Sequence, residues 1–540
     1  GSRTPDGAGI LKTFTDFHTA STYEEAGLLA KKAGTDTEIP VGNAFKKLPD
    51  YVRSGQLDEA LLNESVRRVL KVKFEYGLFE HPYIDTEKVV AFMTNEKKAA
   101  VAESIAAKSL VLLKNDGVLP LKKGMRVALV GPHADSLRYP VSGYTFPAYI
   151  EMVNAQAEGN AGEVSFNGIA DEAAKAKDKK ENPFASFSDA LTPAERDSLQ
   201  DIKGILTDMG ARSLKTELES RFEVHYAEGC SLMGDDTSGF EEAVQAARDS
   251  DVVVMACGGN CGWVNVTGGE GKDRCHLGLP GVQQKLLEAV ATAGKPVVLI
   301  LYGPGYFSLP WAADHASGIV QAWMPGLKAG KVVADLLDGT ANPGGKLTTT
   351  IVRDAGQIPV TYNHRTGSGY ASKTDNLGSV IFTGGYVDES STPLFCFGHG
   401  LSYTTFELSG FSVAETEIPT DGVITVSCKV KNTGDREGDE TVQLYYHQKQ
   451  AHVVRPVKQL AGFKRLTLAP GEEREITFQL HTAQLGFYNE NMDFVVEPGA
   501  FDIMVGTSAH DIAFIQEIRL TGSTVDVMGR RVYTCPVSVR

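Results

Sequence analysis

Cysteine is scarce in this 540-residue chain, and its few copies do not pair by number. The seven cysteines stand at positions 230, 257, 261, 275, 396, 428 and 535. An odd, widely spread set does not form the disulfide framework of a small secreted domain. Cys257, Cys261 and Cys275, followed by His276, invite a zinc interpretation, but their spacing lacks the C-x2-C pairs of zinc sites. We therefore expect free thiols and no metal site.

Positive charge and long apolar runs are also in short supply. Lys and Arg total 53 against 68 Asp and Glu, which gives a net charge of −15. Nucleic acids and anionic membranes attract Lys and Arg, so this balance argues against both as partners and suits a neutral ligand such as a sugar. No apolar run approaches the ~20 residues that cross a bilayer. We expect a soluble protein and leave the cytoplasm, the periplasm and secretion open as its location.

Helical patterns fill the chain up to about residue 83. TYEEAGLLAKKAGTD and LDEALLNESVRRVLKVKFEYGLF repeat apolar residues at helical spacing, and they stop at Gly34 and Gly77 respectively. This segment, residues 1–83, is too short and too poor in strands to be a complete α/β domain, so it resembles the end of a larger one. Residues 84–125 are interpreted as a linker that leads into the second domain.

Strands alternate with helices in residues 126–365. RVALVGP, DVVVMACGG, KPVVLILYGPG and GIVQAWMPG are short, apolar and rich in β-branched residues, and helical patterns such as FEEAVQAARDS lie between them. This alternation predicts βαβ units in a mostly parallel sheet that is buried on both faces. The polar, Ala/Lys/Glu-rich stretch at about 150–220 is expected to be a helical insertion.

Period-two alternation of apolar and polar residues marks the last part of the chain. ITVSCKVKNTG, ETVQLYYHQ, REITFQLHT and FDIMVGTS follow one another with turn residues between them. They predict an antiparallel β-sandwich over residues 404–521. A connecting segment, residues 366–403, precedes it, and a weakly patterned tail, residues 522–540, follows it.

One glutamate stands out by its surroundings. TGGEGKDRCHLGLPG, residues 267–281, places Glu270 between two glycines and close to Lys272 and Arg274. The stretch follows DVVVMACGG by a short loop, and ligands bind outside the carboxyl ends of parallel strands. From spacing alone, Glu270 is either a catalytic carboxylate or a surface residue that pairs with one of these two cations.

Several longer motifs carry a family resemblance. They are ESVRRVLKVKFEYGLF, SLVLLKNDGVLPL, VALVGPHAD, GGEGKDRCHLGLPG, IVQAWMPG, GTANPGGKL, FGHGLSYTTF and VKQLAGFKRLTLAPGE. In this order they resemble glycoside hydrolase family 3, in particular its bacterial β-glucosidase/β-xylosidase type. The resemblance implies a multidomain α/β plus all-β fold: a (β/α)8 barrel, an α/β sandwich with a mostly parallel sheet, and a fibronectin type III-like β-sandwich. It implies that residues 1–83 are the end of the barrel and that most of the barrel lies outside this sequence.

The same resemblance implies a reaction. Family members are retaining, exo-acting β-glycosidases, which need two carboxyl groups ~5–5.5 Å apart for double displacement. The resemblance puts the acid/base on Glu270. The nucleophile candidate is Asp6 in TPDGAGI, although ungapped counting puts the family aspartate on Gly7, and Asp6 is otherwise a linker residue.

Four further residues are substrate-binding candidates, each with a plainer alternative. Trp263 lies seven residues before Glu270 and would stack on a sugar ring, or else anchor the loop in the core. Arg274 would contact substrate, or else fix the loop. His133, in VGPHADS, and Tyr144 would line the same edge of the sheet, or else pack loops.

No cofactor is expected, because glycine patterns such as GPGYFSLP do not match a dinucleotide fingerprint. The expected substrates are β-linked glucoside or xyloside oligosaccharides and aryl glycosides, with β-glucosidase and β-xylosidase activity both open. A separate barrel-containing chain or a homodimer would be the partner. The alternative from another class is a non-catalytic carbohydrate-binding or assembly fragment.

Overall fold

The structure is a computed structural model, and it describes residues 3–7, 9–39, 42–93, 95–157, 199–365, 386 and 388–540. The chain divides into two compact units. The first comprises Gly1–Ala100 and Tyr144–Ile202, and the second comprises Val101–Gly143 and Lys203–Arg540. Each unit is described by itself below.

The first unit is helical in its described part. Its helices are Gly9–Thr15, Tyr23–Lys32, Leu48–Arg53, Glu59–Glu75, Thr86–Met93 and Phe146–Ala157, and helix Glu96–Ser109 leads into the second unit. Helix Tyr23–Lys32 begins where the Thr22 side chain accepts a hydrogen bond from the Glu25 amide, and it ends before Gly34, whose φ is 96°. The described part of residues 1–83 contains no strand, so its assignment to the end of a barrel stays a prediction.

A buried charge cluster joins three segments of this unit. Asp36 accepts hydrogen bonds from Ser65 and, at 2.8 Å, from the Arg3 amide. Arg68 Nη1 lies 2.9 Å and Lys31 Nζ 3.9 Å from the same carboxylate, whose side chain is fully buried. Burial alone would raise the pKa of Asp36, but the hydrogen bonds from Ser65, Arg3 and Arg68 and the charge of Arg68 lower it to about 2.

Helix Glu59–Glu75 also exposes an apolar stripe. Val66, Leu70 and Phe74 follow one another at four-residue intervals and are all exposed. The Phe79 ring packs on Phe74 with its centroid 4.6 Å away, and Phe79 is exposed as well. These four residues, called the exposed stripe below, are followed by further exposed apolar side chains, namely Leu78, Tyr83, Ile84 and Val90. These side chains together form an exposed apolar surface on the described part of the first unit.

The second unit begins with a six-stranded sheet. Its strands are β1 (Val111–Asn115), β2 (Arg126–Val130), β3 (Glu223–Ala227), β4 (Val252–Gly258), β5 (Val297–Tyr302) and β6 (Gly318–Trp323). They lie in the order β1-β6-β5-β4-β2-β3, and all pairs are parallel except β1 with β6. The predicted mostly parallel sheet is confirmed.

Helices cover both faces of this sheet, and each face has its own core. Phe240–Arg248 and Gln283–Ala291 contribute to one core, with Ala243 and Leu286 fully buried. On the other face, Leu214–Glu219, Ala329–Leu337 and the end of Glu96–Ser109 contribute to the second core. Among the described residues, the remaining α-helices are Ile202–Asp208, whose first residue belongs to the first unit, and Pro310–His315. Burial on both faces explains why β4 and β5 are continuous apolar runs.

Three of the segments that the sequence suggested can be compared with the described residues. Residues 84–125, interpreted as a linker, contain two helices and strand β1, which pairs with β6 at the edge of the sheet. Of the proposed helical insertion at about 150–220, residues 158–198 lie outside the described residues, and helices occupy described parts on both sides. Most of the connecting segment 366–403 also lies outside them, at residues 366–385 and 387.

A β-sandwich completes the second unit, and its strand pairs are antiparallel except for β16 with β8. Its five-stranded sheet has the order β11-β10-β15-β16-β8 and its four-stranded sheet the order β18-β12-β9-β7, with a small third sheet of β13, β14 and β17. The strands are β7 (Phe406–Val413), β8 (Glu417–Pro419), β9 (Val423–Asn432), β10 (Gly438–Gln448), β11 (Gln459–Leu468), β12 (Glu473–His481), β13 (Phe487–Tyr488), β14 (Phe494–Val496), β15 (Gly499–Gly506), β16 (Ile512–Thr521), β17 (Val525–Asp526) and β18 (Val537–Val539). The tail, residues 522–540, therefore supplies two strands.

Polar contacts join the sandwich to the six-stranded sheet domain. Lys346 Nζ lies 2.8 Å from Glu440 Oε1, and both side chains are largely buried. Asn342 donates a 2.9 Å hydrogen bond to the Glu437 carbonyl. Because buried ion pairs and hydrogen bonds need precise geometry, these contacts fix the two domains against each other.

Candidate active site

The order of the strands creates a crevice between β2 and β4. From β2 the chain runs to β3 on one side and then crosses back to β4 on the other side, so the winding reverses between these two neighbours. Open α/β sheets bind ligands outside the carboxyl ends of the strands at such a reversal. The segment after β2 carries His133, and the segment after β4 is the loop of residues 259–281 that carries Glu270. We call the latter the Glu270 loop.

The neck of the Glu270 loop is closed by Asn260 and Thr267. The Asn260 amide donates to Thr267 Oγ1 at 2.9 Å, and the Thr267 amide donates to the Asn260 carbonyl at 3.0 Å. The Asn260 side chain also donates to the Val264 carbonyl at 3.0 Å, and Asn260 is fully buried. The glycine-rich sequence therefore forms a loop with a defined internal scaffold.

Glu270 stands at the tip of a tight turn. The backbone of Gly269 and Lys272 exchanges two hydrogen bonds, of 3.2 and 3.1 Å, so that Glu270 and Gly271 form a two-residue turn. Gly271 has φ of 68°, a conformation that favours glycine. Glu270 is exposed there. The neighbouring glycine thus allows the sharp bend that presents this carboxylate.

Three buried side chains hold the base of the Glu270 loop through its backbone. Gln283 accepts from the Gly258 amide at 2.8 Å and donates to the Gly258 carbonyl at 2.9 Å. Arg138 donates to the Cys261 carbonyl at 3.2 Å. His133 Nε2 lies 3.0 Å from the Gly259 carbonyl, which requires its proton on Nε2. The loop therefore leaves the sheet along a fixed path.

His133 is buried beside the base of the Glu270 loop. It is 1% exposed, its ring is parallel to that of Tyr302 at 5.3 Å, and Tyr139 lies 5.2 Å away on another side. Burial lowers its pKa to about 4, although the hydrogen bond to Gly259 acts in the opposite direction. These contacts favour the loop-packing role for His133 over substrate binding, which stays a prediction.

This burial predicts a pH dependence of stability. Because the folded pKa of His133 is about 4 against an ordinary 6.5, only the unfolded chain takes up this proton as the pH falls from 6.5 towards 4. Acid therefore destabilises the fold, by about 2 kcal/mol between pH 7.5 and pH 5. His133→Gln should remove this part of the slope in urea unfolding measured at both pH values. Replacing the exposed His276 is the control and should leave the slope in place; an unchanged slope in H133Q contradicts the prediction.

Arg274 lies against the next loop of the sheet. Its Nη2 donates a 2.9 Å hydrogen bond to the Tyr306 carbonyl, and its guanidinium carbon lies 4.8 Å from the centre of the Phe307 ring. Burial lowers its pKa, and the nearby Tyr306 opposes this. These contacts attach the arm of the turn after Glu270 to the segment that follows β5. These contacts favour the loop-fixing alternative for Arg274. The side chain fixes the loop through the Tyr306 carbonyl and the Phe307 ring.

The other candidates fall in different environments. Trp263 is 3% exposed, so burial favours the core-anchor alternative over sugar stacking. Tyr144 is exposed, lies in the first unit and meets the Tyr149 ring edge-on at 6.5 Å. Asp6 is also exposed and in the first unit, where its carbonyl accepts from the Gly9 amide at the start of the first helix.

Sequence reasoning missed three residues that organise the loop, namely Asn260, Gln283 and Arg138. All three form hydrogen bonds with backbone atoms, and such contacts leave no motif spacing in the sequence. The only available signal was a polar residue at an otherwise apolar position, such as Gln283 at the start of helix Gln283–Ala291, where it is fully buried.

The cysteines are free thiols, as expected. Burial raises the pKa of Cys230 to about 11 and raises that of Cys257 further. Within the described ranges, no group of three His, Cys, Asp or Glu side chains is arranged to hold a metal ion. Likewise, none of the described helices is long and apolar enough to cross a membrane.

The fold and the crevice define a multidomain α/β protein with a carboxylate-bearing loop at the reversal of its sheet. The chain belongs to glycosyl hydrolase family 3: the model of the "Glycosyl hydrolase family 3 C-terminal domain" matches residues 110–403, more than half of the sequence. The model of the "Fibronectin type III-like domain" matches residues 440–509, within the sandwich. The resemblance seen in the sequence motifs is thereby confirmed.

Curated relatives agree with this assignment. The chain is 32% identical over 508 residues to the "Periplasmic beta-glucosidase" of Salmonella typhimurium. This match covers 93% of this chain and 61% of that protein. It is 34% identical over 502 residues to the "Beta-xylosidase" of Formosa agariphila, covering 91% of this chain and 60% of that protein. The chain therefore spans about three fifths of the length of these relatives.

A solved structure shows the same architecture. The β-glucosidase from Listeria innocua in complex with glucose superposes with a TM-score of 0.79 at 29% sequence identity. The match covers 97% of this chain and 63% of that one. Nearly all of this chain thus has a counterpart in a larger β-glucosidase.

Proposed function

We propose that this chain forms the acid/base-bearing part of a retaining, exo-acting β-glycosidase. The observation that carries the proposal is Glu270, exposed at the tip of a scaffolded turn outside the sheet reversal. Membership in a family whose relatives are named β-glucosidases and β-xylosidases supports it. The substrates would be terminal, non-reducing β-linked glucosides or xylosides in oligosaccharides or aryl glycosides.

Glu270 would act twice in each turnover. In the first step, a nucleophilic carboxylate attacks the anomeric carbon while Glu270 donates its proton to the departing glycosidic oxygen. In the second step, the Glu270 carboxylate takes a proton from water, which attacks the anomeric carbon and releases the sugar. A carboxylate on a short, fixed turn suits this exchange, because both proton transfers need the same position of the same group.

The nucleophile proposed within this chain is Asp6. It is an exposed carboxylate close to the start of the first helix, in TPDGAGI. Replacement of Asp6 with Asn tests the assignment: loss of turnover supports it, whereas full activity in the variant requires another aspartate as nucleophile.

Further polypeptide would complete the sugar site. It would belong either to the same chain or to a separate one. Relatives are longer by roughly two fifths of their length than the part matched here. The exposed stripe of Val66, Leu70, Phe74 and Phe79 supplies apolar surface on which such a polypeptide would pack. We propose a barrel-type polypeptide as this occupant, and a second copy of this chain is the alternative outcome.

Reconstitution tests this proposal and the role of the exposed stripe. Mixing the chain with a barrel fragment from a relative should restore release of p-nitrophenol from aryl glycosides. Phe74→Asp should weaken the complex at least about tenfold, since it places a charge on apolar contact surface. Lys73→Asp introduces the same side chain at an exposed neighbouring position and should bind nearly as the parent does. Equal binding by both variants contradicts a role for the stripe.

A non-catalytic carbohydrate-binding or assembly function is the second candidate, because the chain spans only about three fifths of the length of its relatives. A complex that forms with the barrel fragment but releases no p-nitrophenol supports this candidate. Parallel assays with aryl glucosides, xylosides and arabinosides decide which sugar is preferred if the complex is active.

A further inference from the structure

We propose that Arg274 is a positioning residue that sets the location of the Glu270 carboxylate. The inference rests on the proposed acid/base role of Glu270 and adds the side chain that holds it in place. Glu270 is exposed and its turn has only two residues, so the position of its carboxylate depends on how the turn is attached to the rest of the domain.

The side chain of Arg274 connects both arms of the Glu270 turn. One arm contains Gly268 and Gly269, and the other contains Lys272 and Arg274. Arg274 belongs to the second arm, yet its Nε lies 3.5 Å from the point where a Cβ on Gly268 would lie. The guanidinium thus packs on the first arm as well. Displacement of Arg274 would release both sides of the turn.

The far end of Arg274 is held by the segment that follows β5. Nη2 donates to the Tyr306 carbonyl at 2.9 Å, the guanidinium lies over the Phe307 ring, and the Cβ position of Gly305 is 3.4 Å from Nη2. These distances place the guanidinium in van der Waals contact with the chain at both glycines. The planar guanidinium can make a directed hydrogen bond and stack on a ring at the same time, which the ammonium of lysine cannot do.

The energetic cost of this placement indicates a functional reason for it. Arg274 Nη1 is buried, and within the described part of the chain it has no hydrogen-bond partner. A buried donor on a charged group without a partner destabilises the folded state, so its presence here needs an explanation.

Hydrogen exchange tests the attachment without any assay of activity. Arg274→Met keeps much of the length but removes the hydrogen bond and the charge. We expect the amides of Gly269 and Lys272 to exchange about tenfold faster in R274M, with β4 and β5 unchanged. Arg274→Lys should give an intermediate rate. The control is Arg126→Met, which removes an arginine paired with Asp251 at the opposite end of β2 and should leave the loop unchanged.

The kinetics of the chain reconstituted with a barrel fragment, called the completed enzyme below, separate a positioning role from substrate binding. A displaced acid matters when the leaving group needs a proton, so R274M should lower kcat on alkyl glycosides about tenfold more than on 2,4-dinitrophenyl glycosides. R274K should recover part of the loss. A rise in KM with unchanged kcat on both substrates would mean that Arg274 contacts substrate, and this overturns the proposal.

The two proposals fail in distinguishable ways. Unchanged exchange of the Glu270 turn in R274M overturns the positioning role, whatever the activity. If exchange rises but Glu270→Ala shows no dependence on the leaving group, Arg274 still fixes the turn and it is the acid role of Glu270 that fails. If R274M does not fold, R274K with the same two measurements decides.

Discussion

Glu270→Ala is expected to lower kcat/KM on alkyl glycosides by about 10²–10⁴, the usual contribution of a general acid. 2,4-Dinitrophenyl glycosides should keep most of their kcat/KM, because dinitrophenolate leaves without a proton. The glycosyl-enzyme should then accumulate, since no base activates water. Steady-state and burst kinetics of the completed enzyme on both substrates measure this difference.

Azide provides the complementary measurement for Glu270. As a small anion that needs no general base, it should attack the glycosyl-enzyme of E270A, raise kcat and give a β-glycosyl azide. Glu288→Gln is the matched control, since Glu288 is an exposed carboxylate on helix Gln283–Ala291 of the same domain. Equal loss on both classes of substrate, with no effect of azide, would falsify the acid/base role.

Asp36→Asn is expected to destabilise the first unit by about 3 kcal/mol, because it leaves the buried Lys31 without its carboxylate. Amides in helices Tyr23–Lys32 and Glu59–Glu75 should exchange on the order of 100-fold faster. Asp50→Asn is the control: Asp50 and Arg53 form an ion pair of 2.6 Å in the same unit, but both side chains are well exposed. Similar exchange in both variants contradicts a special role for the buried cluster.

The same carboxylate predicts how the first unit responds to acid. Its folded pKa is about 2 against an ordinary 3.8, so its stabilising contribution is present above pH 4 and is lost as the pH falls towards 2. The loss amounts to about 2 kcal/mol. Exchange rates of the same helices at pH 5 and pH 3, corrected for the intrinsic rate, should diverge less in D36N than in the parent.

Burial decides which strands the sequence could predict. β4 and β5 lie inside the sheet, and their continuous apolar residues identified them directly. β3 is an edge strand with one exposed and three half-buried residues, so EVHYA lacks such a run. β1 is apolar, but its partner β6 lies about 200 residues further along the chain, so their pairing could not be predicted from the local pattern.

In the candidate site, too, the sequence could predict some residues and not others. Glu270 was placed at the carboxyl edge of the sheet because its loop directly follows an unmistakable strand. The side chains that shape the loop bind carbonyl and amide groups, as Gln283 does at Gly258, and such contacts leave no spacing signature. Trp263 is buried by residues that are distant in the sequence, so its burial could not be predicted from the loop sequence. Its aromatic face therefore suggested sugar stacking.

The contacts between the sandwich and the sheet domain set a condition on protein engineering. Lys346 and Glu440 belong to different domains, yet each is the buried partner of the other. A chimera that takes its fibronectin-like domain from a homologue would separate this pair unless the donor supplies a matching acid. Crossover points for recombining such hydrolases are therefore better placed outside residues 342–440 than at the apparent seam between the domains.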